Sequence, residues 1–388
     1  MKIKIVTLGC KLNFAESSAL MNTLIARGHT RCKRDEQADV VIVNTCTVTD
    51  TADHKNRQAI HRLKRENPQA RIIVTGCYAR LKPQEIAAMV EVDHVIPKQD
   101  NVFQPAYSRD DRTRCFLKVQ DGCNYFCTYC TIPFARGRSR NPYIKDVVAE
   151  AEQALREGAK EIILTGVNIG DFGRSTGESF IDLLRALDAI DGEWRCRISS
   201  CEPNLLTDEI IDFVAHSHHF APHFHIPLQS GNNEMLKIMH RHYTRELFAE
   251  RIEHIKRVMP NAFIGVDCMV GVRGETEERF NDYVQFVESL PVSQLHVFTY
   301  SERANTRMLE MDLYVVPQTE RDRRSKILHA ISERKLAAFY DEQKGKKVTV
   351  LWESKKDGNK MYGFSENYIK VSCPYDRSKI NCFEQVIW

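Results

Sequence analysis

The sequence has little of what marks a secreted, membrane-spanning or strongly charged protein. Thirteen cysteines among 388 residues, about 3.4%, are well below the roughly 8–10% of a disulfide-built scaffold. No apolar run approaches the roughly 18 residues of a membrane span. The short apolar start ends at Cys10-Lys11, unlike a signal peptide. The formal net charge of +3 permits a nucleic-acid partner without indicating one. We therefore predict a cytoplasmic protein whose cysteines bind metal or react rather than pair.

Strand and helix patterns alternate through residues 1–105. Apolar strands at Ile3–Leu8, Val40–Val43 and Ile72–Val74 are each followed by a helical pattern. Such alternation is typical of a parallel sheet with helices on both faces. The polar stretch 97–114 reads as a linker.

The rest of the chain divides into a long α/β block and a short β block. Residues 112–341 contain six apolar strands separated by helical patterns, which indicates either a doubly wound sheet or a partial barrel. Residues 342–388 show three short strands with turns between them, at Val348–Trp352, Tyr368–Val371 and Phe383–Ile387. A block of this size is near the lower limit for independent folding.

The sharpest local motif is a loop with three cysteines. Cys123, Cys127 and Cys130 follow Gly122 directly after the first strand of the second block. A zinc site ordinarily takes four ligands, and no fourth Cys or His lies at zinc-finger spacing. Three thiolates suit a 4Fe–4S cluster that has one open iron, which is available to a substrate or cofactor. Zinc binding and incidental burial of the three cysteines remain alternatives.

A second set of three cysteines comes from the chain's organisation. Cys10, Cys46 and Cys77 each lie just past the end of a strand in the first block. Because parallel strands end at one edge of their sheet, we expect these cysteines to converge. The helices that follow favour negatively charged thiolates; the alternative is that cysteines merely suit buried strand ends. The other seven are predicted to be core or surface thiols: Cys32, Cys115, Cys196, Cys201, Cys268, Cys373 and Cys382.

The cysteine loop at the top of a six-fold βα domain resembles the radical S-adenosylmethionine (SAM) enzymes. With the N-terminal cysteine block, Leu228-Gln-Ser-Gly231, Gly274-Glu-Thr276 and Tyr300-Ser-Glu-Arg303, the chain resembles their methylthiotransferases, which replace a C–H bond by C–S–CH₃. The resemblance runs from about residue 3 to about residue 371, so it covers nearly the whole chain.

The first motif helps to separate the branches of this family. Thr7-Leu-Gly-Cys-Lys-Leu-Asn13 resembles the branch that acts on N6-threonylcarbamoyladenosine in tRNA. The isopentenyladenosine branch usually has an aromatic residue and Gln flanking the Gly-Cys pair, and the ribosomal-protein aspartate branch usually has Pro-Lys after the cysteine. Both stay as alternatives. A non-catalytic iron–sulfur RNA-binding protein is a fourth possibility, against which the complete second cysteine set argues.

The resemblance implies an α/β fold of three domains. Residues 1–105 would form an N-terminal parallel-sheet α/β domain, and residues 112–341 an open (β/α)₆ radical-SAM partial barrel. Residues 342–388 would form a small TRAM-like β-barrel, an RNA-binding module. The likeness to that module includes Gly363–Val371 and fades afterwards, so we expect this domain to be incomplete.

The resemblance also implies two 4Fe–4S clusters and SAM as cofactors. Cys123, Cys127 and Cys130 would hold the cluster whose open iron binds SAM, and an electron would cleave SAM to a 5′-deoxyadenosyl radical. Cys10, Cys46 and Cys77 would hold an auxiliary cluster, and no catalytic side chain is expected beyond these ligands. The expected partners are tRNA and an electron donor such as a flavodoxin or ferredoxin. We expect no membrane contact and a monomer.

Six residues after the second, third and fourth strands of the barrel are candidates for SAM contacts. They would lie at the mouth of a barrel site, where serine and glutamine can bond ribose hydroxyls; for each, the alternative is a strand-end cap. His223 and His225 on the fourth strand are interpreted as structural. The six candidates are Gly166, Asn168, Ser200, Glu202, Gln229 and Ser230.

Basic and aromatic residues near the expected mouth are candidates for RNA contacts. Arginine and lysine can neutralise phosphates and aromatic rings can stack on unpaired bases, although a solvated charged face or core packing is as good an explanation. The basic candidates are Arg136, Arg138, Arg140, Arg321, Arg323, Arg324, Lys326, Arg334 and Lys335, and the aromatic ones are Phe134, Tyr143, Tyr362, Phe364 and Tyr368.

Overall fold

The computed structural model describes residues 1–33, 36–98, 102–108 and 113–388; the predicted linker falls partly outside these ranges. The first strands are β1 (Lys2–Thr7), β2 (Thr30–Arg31), β3 (Val40–Thr45), β4 (Arg71–Gly76) and β5 (His94–Pro97), with helices α1 (Lys11–Ala26), α2 (Asp50–Glu66), α3 (Cys77–Leu81) and α4 (Pro83–Ala87). All pairings are parallel, in the order β2-β1-β3-β4-β5. The predicted parallel sheet is therefore confirmed, and its core packs Ile60 and Leu63 of α2 against β3 and β4.

The next six strands form an open barrel. They are β6 (Arg114–Lys118), β7 (Glu161–Thr165), β8 (Arg195–Ile198), β9 (His223–Gln229), β10 (Phe263–Val270) and β11 (Gln294–Thr299). They pair as two parallel three-stranded sheets, β6-β7-β8 and β9-β10-β11, which isolated bridges such as Ser200 to His225 join. Because strand order follows chain order, the fold is the predicted partial barrel and not a doubly wound sheet.

Helices cover the outside of the barrel and leave an interior lined by the other strand faces. Alternate residues such as Leu117, Leu164 and Ile226 pack outward in the largest core, so their neighbours point into the lumen. No helix within the described ranges is long and apolar enough to cross a membrane. The helices are α5 (Ile132–Arg136), α6 (Ile144–Arg156), α7 (Phe180–Asp188), α8 (Asp208–His216), α9 (Asn233–Ile238), α10 (Arg245–Val258), α11 (Glu277–Ser289) and α12 (Gln318–Gln343).

The chain ends in a curled antiparallel sheet of four strands. They are β12 (Lys347–Asp357), β13 (Lys360–Phe364), β14 (Lys370–Pro374) and β15 (Phe383–Ile387), in the order β14-β13-β12-β15. Strand β13 was not predicted, because Gly358 and Gly363 in that stretch look like turn signals. The predicted strand at Tyr368–Val371 begins too early, since Tyr368 has φ +66° and lies in a turn before β14. The predicted division at residues 105, 112 and 342 stays a prediction.

Helix α1 closes the side of the barrel beside β6. Phe14 meets Phe116 edge to face at 5.8 Å between ring centroids. Glu16 then enters a buried cluster of charges, where its carboxylate lies 3.0 Å from the Lys118 ammonium and 3.3 Å from the Arg136 guanidinium. Burial tends to raise the pKa of Glu16, but Arg136, Lys98 and Lys118 outweigh it and lower that pKa to about 2. The carboxylate is thus a fixed negative charge between the sheet and the barrel.

Asp121 is the second carboxylate of this cluster. It lies 2.9 Å from Arg136, 2.8 Å from Lys118 and 3.1 Å from Arg140. Burial opposes ionisation, but the positive charges of Arg136 and Lys118 hold the pKa of Asp121 far below its usual range. We call Glu16, Asp121, Lys98, Lys118, Arg136 and Arg140 the interdomain charge cluster.

The C-terminal sheet closes the bottom of the barrel through buried arginines. Arg197 donates to the carbonyl oxygens of Ser365 (2.6 Å) and Glu366 (2.7 Å), and Arg195 donates to that of Thr349 (2.7 Å). Both guanidinium groups also pair with Glu161, which is buried. One carboxylate and a set of carbonyl groups therefore satisfy two buried cations.

We predict that Arg197→Met destabilises the protein strongly. The change keeps most of the side-chain volume but leaves Glu161 short of a partner and two carbonyl oxygens without donors. The free energy of unfolding should fall by about 3–5 kcal/mol, as when one member of a buried ion pair is removed. Urea denaturation measures this. The control Arg185→Met removes a surface ion pair with Glu209 and should cost less than about 1 kcal/mol; equal losses would contradict the prediction.

Candidate functional site

The loop after β6 brings together Cys123, Cys127 and Cys130. An N–H group points at each sulfur: the Tyr125 amide at 3.4 Å from Cys123, the Arg241 guanidinium at 3.0 Å from Cys127, and the Ile132 amide at 3.5 Å from Cys130. Donors of this kind stabilise sulfur that carries negative charge. The arrangement therefore suits thiolates better than incidental core cysteines.

These thiols are neutral in the protein alone. Burial, with a further contribution from the Cys127 sulfur, raises the pKa of Cys130 to about 12. Burial likewise raises the pKa of Cys123 to about 12. Because metal ligation requires the deprotonated sulfur, iron bound at this loop would displace these protons.

Arg241 is a buried residue of the site that the sequence analysis missed. Besides its bond to Cys127, it pairs with the Glu202 carboxylate and lies 3.4 Å from the Tyr129 hydroxyl. It lies just after α9 and far in sequence from the cysteine loop. Because no spacing rule connects the two segments, only the fold reveals the contact.

The second cysteine set converges at one edge of the N-terminal sheet. Cys10 caps the start of α1, Cys46 follows β3, and Cys77 opens α3, so the three come from the neighbouring strands β1, β3 and β4. Burial raises the pKa of Cys46 to about 11, and the nearby Cys77 and Cys10 sulfurs add to the shift. This mutual influence agrees with the predicted convergence.

Backbone contacts lock the loops of this second set together. A Cβ on Gly9, which has φ +129°, would lie 2.6 Å from the Cβ of Cys46, so only glycine permits the close approach. Asn13 donates to the Thr45 carbonyl at 3.0 Å, and Asn44 donates to the Asn13 carbonyl at 3.0 Å. These two buried amides hold the Cys10 and Cys46 loops in one arrangement.

Within the described ranges, no three His, Cys, Asp or Glu side chains are grouped to hold a single metal ion. A 4Fe–4S cluster instead takes one thiolate per iron, so its ligands stand farther apart than those of one ion. Both cysteine sets carry the donor chemistry of such a cluster: three sulfurs, with protein N–H groups or cations beside them.

Cations stand beside the second set as well. The positive charges of Arg136 and Lys98 act on the Cys77 sulfur, although burial is the larger effect and raises its pKa. The interdomain charge cluster contains four cations and two carboxylates, so it carries excess positive charge next to these cysteines. That field favours negatively charged sulfur.

The six candidates for SAM contacts all lie at the carboxyl ends of β7, β8 and β9, but they differ in what they offer. Asn168 and Gln229 each have a buried side-chain oxygen with no hydrogen-bond partner in the described part of the chain. Such acceptors suit a polar ligand. Gly166 instead allows close packing, because a Cβ there would lie 2.9 Å from Gln120.

The other three candidates already have protein partners. The Ser200 hydroxyl lies 3.3 Å from His225, Ser230 accepts from the Asn232 amide at 3.3 Å, and Glu202 pairs with Arg241. Burial raises the pKa of Glu202 despite that arginine. Their part in ligand binding stays a prediction.

The two histidines of β9 have different surroundings. His223 stacks on Phe263 at 5.5 Å, and burial holds its pKa well below the usual value, as for a structural histidine. His225 lies 2.7 Å from the Asp267 carboxylate, an acid partner that the sequence did not reveal. Asp267 is on the neighbouring strand β10, two residues beyond Gly265, which is the register partner of His225.

Several predicted RNA contacts are wrong. Arg136 is 1% exposed and belongs to the interdomain charge cluster, where Arg140 also pairs. Arg324 is buried against Glu275 at 2.8 Å, and Arg321 donates to the Val316 carbonyl at 2.9 Å. Several basic candidates for RNA contacts are thus buried donors that stabilise the fold. Arg323 and Arg334 form surface ion pairs with Glu277 and Glu288 but stay exposed, so their contact with RNA stays a prediction.

The aromatic candidates divide in the same way. Phe364 and Tyr368 stack on each other at 4.9 Å beneath the barrel, and Arg114 lies over Phe364, so they pack rather than face solvent. Phe134 and Tyr143 are exposed, and the exposed Arg138 lies over the ring of Phe126 in the cysteine loop.

The motif Tyr300-Ser-Glu-Arg303 joins the barrel to the second cysteine set. Arg303 is buried, donates to the Thr47 hydroxyl at 2.7 Å and lies 2.8 Å from Asp53. Thr47 directly follows Cys46. The motif therefore fixes the Cys46 loop against the barrel mouth, a role that no local pattern indicates.

We predict that Gly122→Ala damages the Cys123 loop. Gly122 has φ +72°, and an added Cβ would overlap the carbonyl oxygen of Arg138. The backbone conformation and the overlap together should lower the free energy of unfolding by about 2–5 kcal/mol. The matched control Gly158→Ala has φ +97° and open space around it, so it should cost only about 1–2 kcal/mol. Chemical denaturation compares the two, and equal costs would contradict the steric argument.

Comparisons with known proteins agree with this arrangement. Residues 2–97 match the model described as uncharacterized protein family UPF0004, and residues 117–287 match the radical SAM superfamily. The chain is 37% identical to the threonylcarbamoyladenosine tRNA methylthiotransferase MtaB of Bacillus subtilis, over 94% of this chain and 88% of the relative. It is 31% identical to the tRNA-2-methylthio-N(6)-dimethylallyladenosine synthase of Desulfitobacterium hafniense, over 99% and 94%.

Among solved structures, the radical SAM methyltransferase TsrM of Kitasatospora setae superposes with a TM-score of 0.56 at 15% identity, covering 79% of this chain and 77% of that one. At that identity the likeness concerns the fold alone. The structure places two cysteine sets beside a partial barrel, and relatives match nearly the full length of the chain at 30% identity or more. The chain therefore belongs to the radical SAM methylthiotransferase family.

Proposed function

We propose that the protein methylthiolates carbon 2 of N6-threonylcarbamoyladenosine in tRNA. The observation that carries this proposal is the meeting of two separate cysteine sets at the mouth of one barrel. The most similar relatives reported above include enzymes named for that nucleoside, and identity to the dimethylallyladenosine enzyme is lower, 31% against 37%. The motif Thr7-Leu-Gly-Cys-Lys-Leu-Asn13 favours the same branch of the family.

The cofactors of this proposal are two 4Fe–4S clusters and SAM. Cys123, Cys127 and Cys130 would hold the cluster that binds SAM, and Cys10, Cys46 and Cys77 the auxiliary cluster. When bound, these groups supply a radical able to take hydrogen from an unactivated carbon, and a sulfur and methyl source. The proposed surroundings of SAM are Gly166, Asn168, Ser200, Glu202, Gln229 and Ser230. Asn168 and Gln229 are the strongest candidates, because their side-chain oxygens have no hydrogen-bond partner among the residues that the structure describes.

The chain's own residues orient and shield this chemistry. Arg241 holds Cys127 and Glu202 together, so one buried cation fixes a proposed iron ligand and a proposed SAM contact at once. Asn13 and Asn44 hold the Cys10 and Cys46 loops of the proposed auxiliary site together. Helix α1 and the charge cluster seal the barrel's side against bulk water, which protects a reactive radical.

The exposed residues Arg138, Phe134 and Tyr143 form the proposed RNA contact at the rim. Arginine can pair with a phosphate, and exposed rings can stack on splayed bases of a loop. The remaining parts of the proposal are an electron donor such as a flavodoxin or ferredoxin, a monomeric protein, and a cytoplasmic site of action, where its tRNA substrate is.

The two-cluster proposal predicts the iron content. Anaerobic reconstitution with iron and sulfide should give about eight irons per chain, four per cluster. Cys123→Ala and Cys46→Ala should each retain about half. The matched control Cys382→Ser changes an exposed cysteine outside both sets and should retain all of the iron. Iron and sulfide assays measure this, and about four irons in the unmutated protein would refute two clusters.

The substrate is tested in cells. A strain lacking the gene should lose 2-methylthio-N6-threonylcarbamoyladenosine from its tRNA and accumulate the nucleoside without the methylthio group. Mass spectrometry of digested tRNA detects both. The unmutated chain should restore the product, whereas Cys123→Ala should not, because the proposed SAM cluster would lack a ligand. An unchanged product level in the deletion strain rules the substrate out, and loss of the isopentenyl counterpart would favour the other tRNA branch.

A further inference from the structure

Three strands of the barrel place polar side chains on the lumen face at adjoining levels. Their outward neighbours along the strands belong to the core under the helices, and successive residues of a strand point to opposite faces. Asp267 is the register partner of His296, and His225 is the register partner of Gly265, two residues before Asp267. An isolated bridge adds Ser200, just beyond β8, as the partner of His225.

Hydrogen bonds join three of these residues in a row. The His225 Nε2 atom lies 2.7 Å from the Asp267 carboxylate, and its Nδ1 atom lies 3.3 Å from the Ser200 hydroxyl. The His296 ring lies beside this row, with its centroid 5.0 Å from that of His225. We call Ser200, His225 and Asp267 the lumen triad.

The chemistry of the three groups sets the direction of these bonds. An ionised carboxylate can only accept, so a neutral His225 donates its Nε2–H to Asp267. The Nδ1 atom then carries a lone pair and accepts the Ser200 O–H. The proton of the Ser200 hydroxyl is thus in use, whereas the lone pairs of its oxygen are free. In this arrangement Ser200 can accept a hydrogen bond from a ligand but cannot donate one.

The lumen triad differs from the buried ion pair at the barrel's base. The side chains of His225 and Asp267 keep 24% and 16% of their surface accessible, whereas those of Arg197 and Glu161 keep 2% and 1%. Arg197 also ends on backbone carbonyl groups of its own chain. The triad instead ends on a hydroxyl oxygen that no donor reaches within the described residues. Such an open acceptor suits a ligand that donates a hydrogen bond.

Resting on the proposed function, we propose that His225 and Asp267 are positioning residues for SAM. They act through Ser200, a proposed SAM contact, by making its oxygen an acceptor for a ribose hydroxyl. Asp267 sets the tautomer of His225, and His225 holds the Ser200 proton away from the ligand. The ribose then meets a fixed acceptor rather than a freely rotating hydroxyl, and such preorganisation lowers the cost of binding.

The test measures the binding of S-adenosylhomocysteine and its 2′-deoxy and 3′-deoxy analogues to the reconstituted protein by anaerobic calorimetry. This ligand keeps the ribose of SAM but lacks the transferable methyl group. We expect the unmutated protein to bind it about threefold to tenfold more tightly than one of the deoxy analogues, as for one hydrogen bond. Asp267→Asn should lose most of this preference, because an amide can donate to Nε2 and reverse the tautomer of His225. A general disturbance would weaken all three ligands equally.

A double-mutant cycle tests whether Asp267 acts through Ser200. Ser200→Ala should weaken the binding of S-adenosylhomocysteine about threefold to tenfold, and adding Asp267→Asn should cause no further loss. The matched control Asp212→Asn changes a bond of the same 2.7 Å length to His254, between α8 and α10. This control should leave both the affinity and the preference unchanged. All variants are compared at equal iron content.

An equal loss from Asp267→Asn with and without the Ser200 hydroxyl overturns the inference, as does a preference that survives Asp267→Asn. So does an unmutated protein that binds both deoxy analogues as tightly as S-adenosylhomocysteine. None of these results touches the proposed function, whose own failure is an unchanged methylthio product in the deletion strain.

Discussion

Two buried carboxylates hold the catalytic region in one piece. Glu16 comes from α1 and Asp121 from the start of the cysteine loop, and Arg136 lies between them. The negative charges are permanent because the surrounding cations keep both pKa values low, and each cation would be uncompensated without them. Since Cys10 directly precedes α1, this one contact positions the proposed auxiliary site relative to the proposed SAM site.

The need to pair buried charges explains why so many interior arginines are unavailable to RNA. A barrel with a polar lumen must neutralise its own charges before it can bind a ligand selectively. Arg136, Arg197 and Arg241 are each matched by an acid from another segment of the chain. Net charge alone, at +3, conveys none of this.

The parts of the site that were predictable from sequence are those set by local rules. Cys123, Cys127 and Cys130 follow from spacing, and the meeting of Cys10, Cys46 and Cys77 follows from the geometry of parallel strands. The contacts of Arg241, Arg303 and Asp267 were not predictable, because each joins segments whose relative position depends on packing and strand register. Strand β13 was missed for a different reason: its glycines look like turn signals, and only pairing with β12 and β14 shows otherwise.

The arginines at the base of the barrel have a consequence for how the chain folds as it is made. Arg195 and Arg197 belong to β8, but the carbonyl groups that satisfy them come from residues between Thr349 and Glu366. During synthesis, about 150 residues must be added before those acceptors exist, which takes roughly 8–30 seconds at about 5–20 residues per second. Throughout that interval only Glu161 could pair with the two guanidinium groups, since the carbonyl acceptors have not yet been made. The base of the barrel can therefore reach its final contacts only after the last sheet has been synthesised.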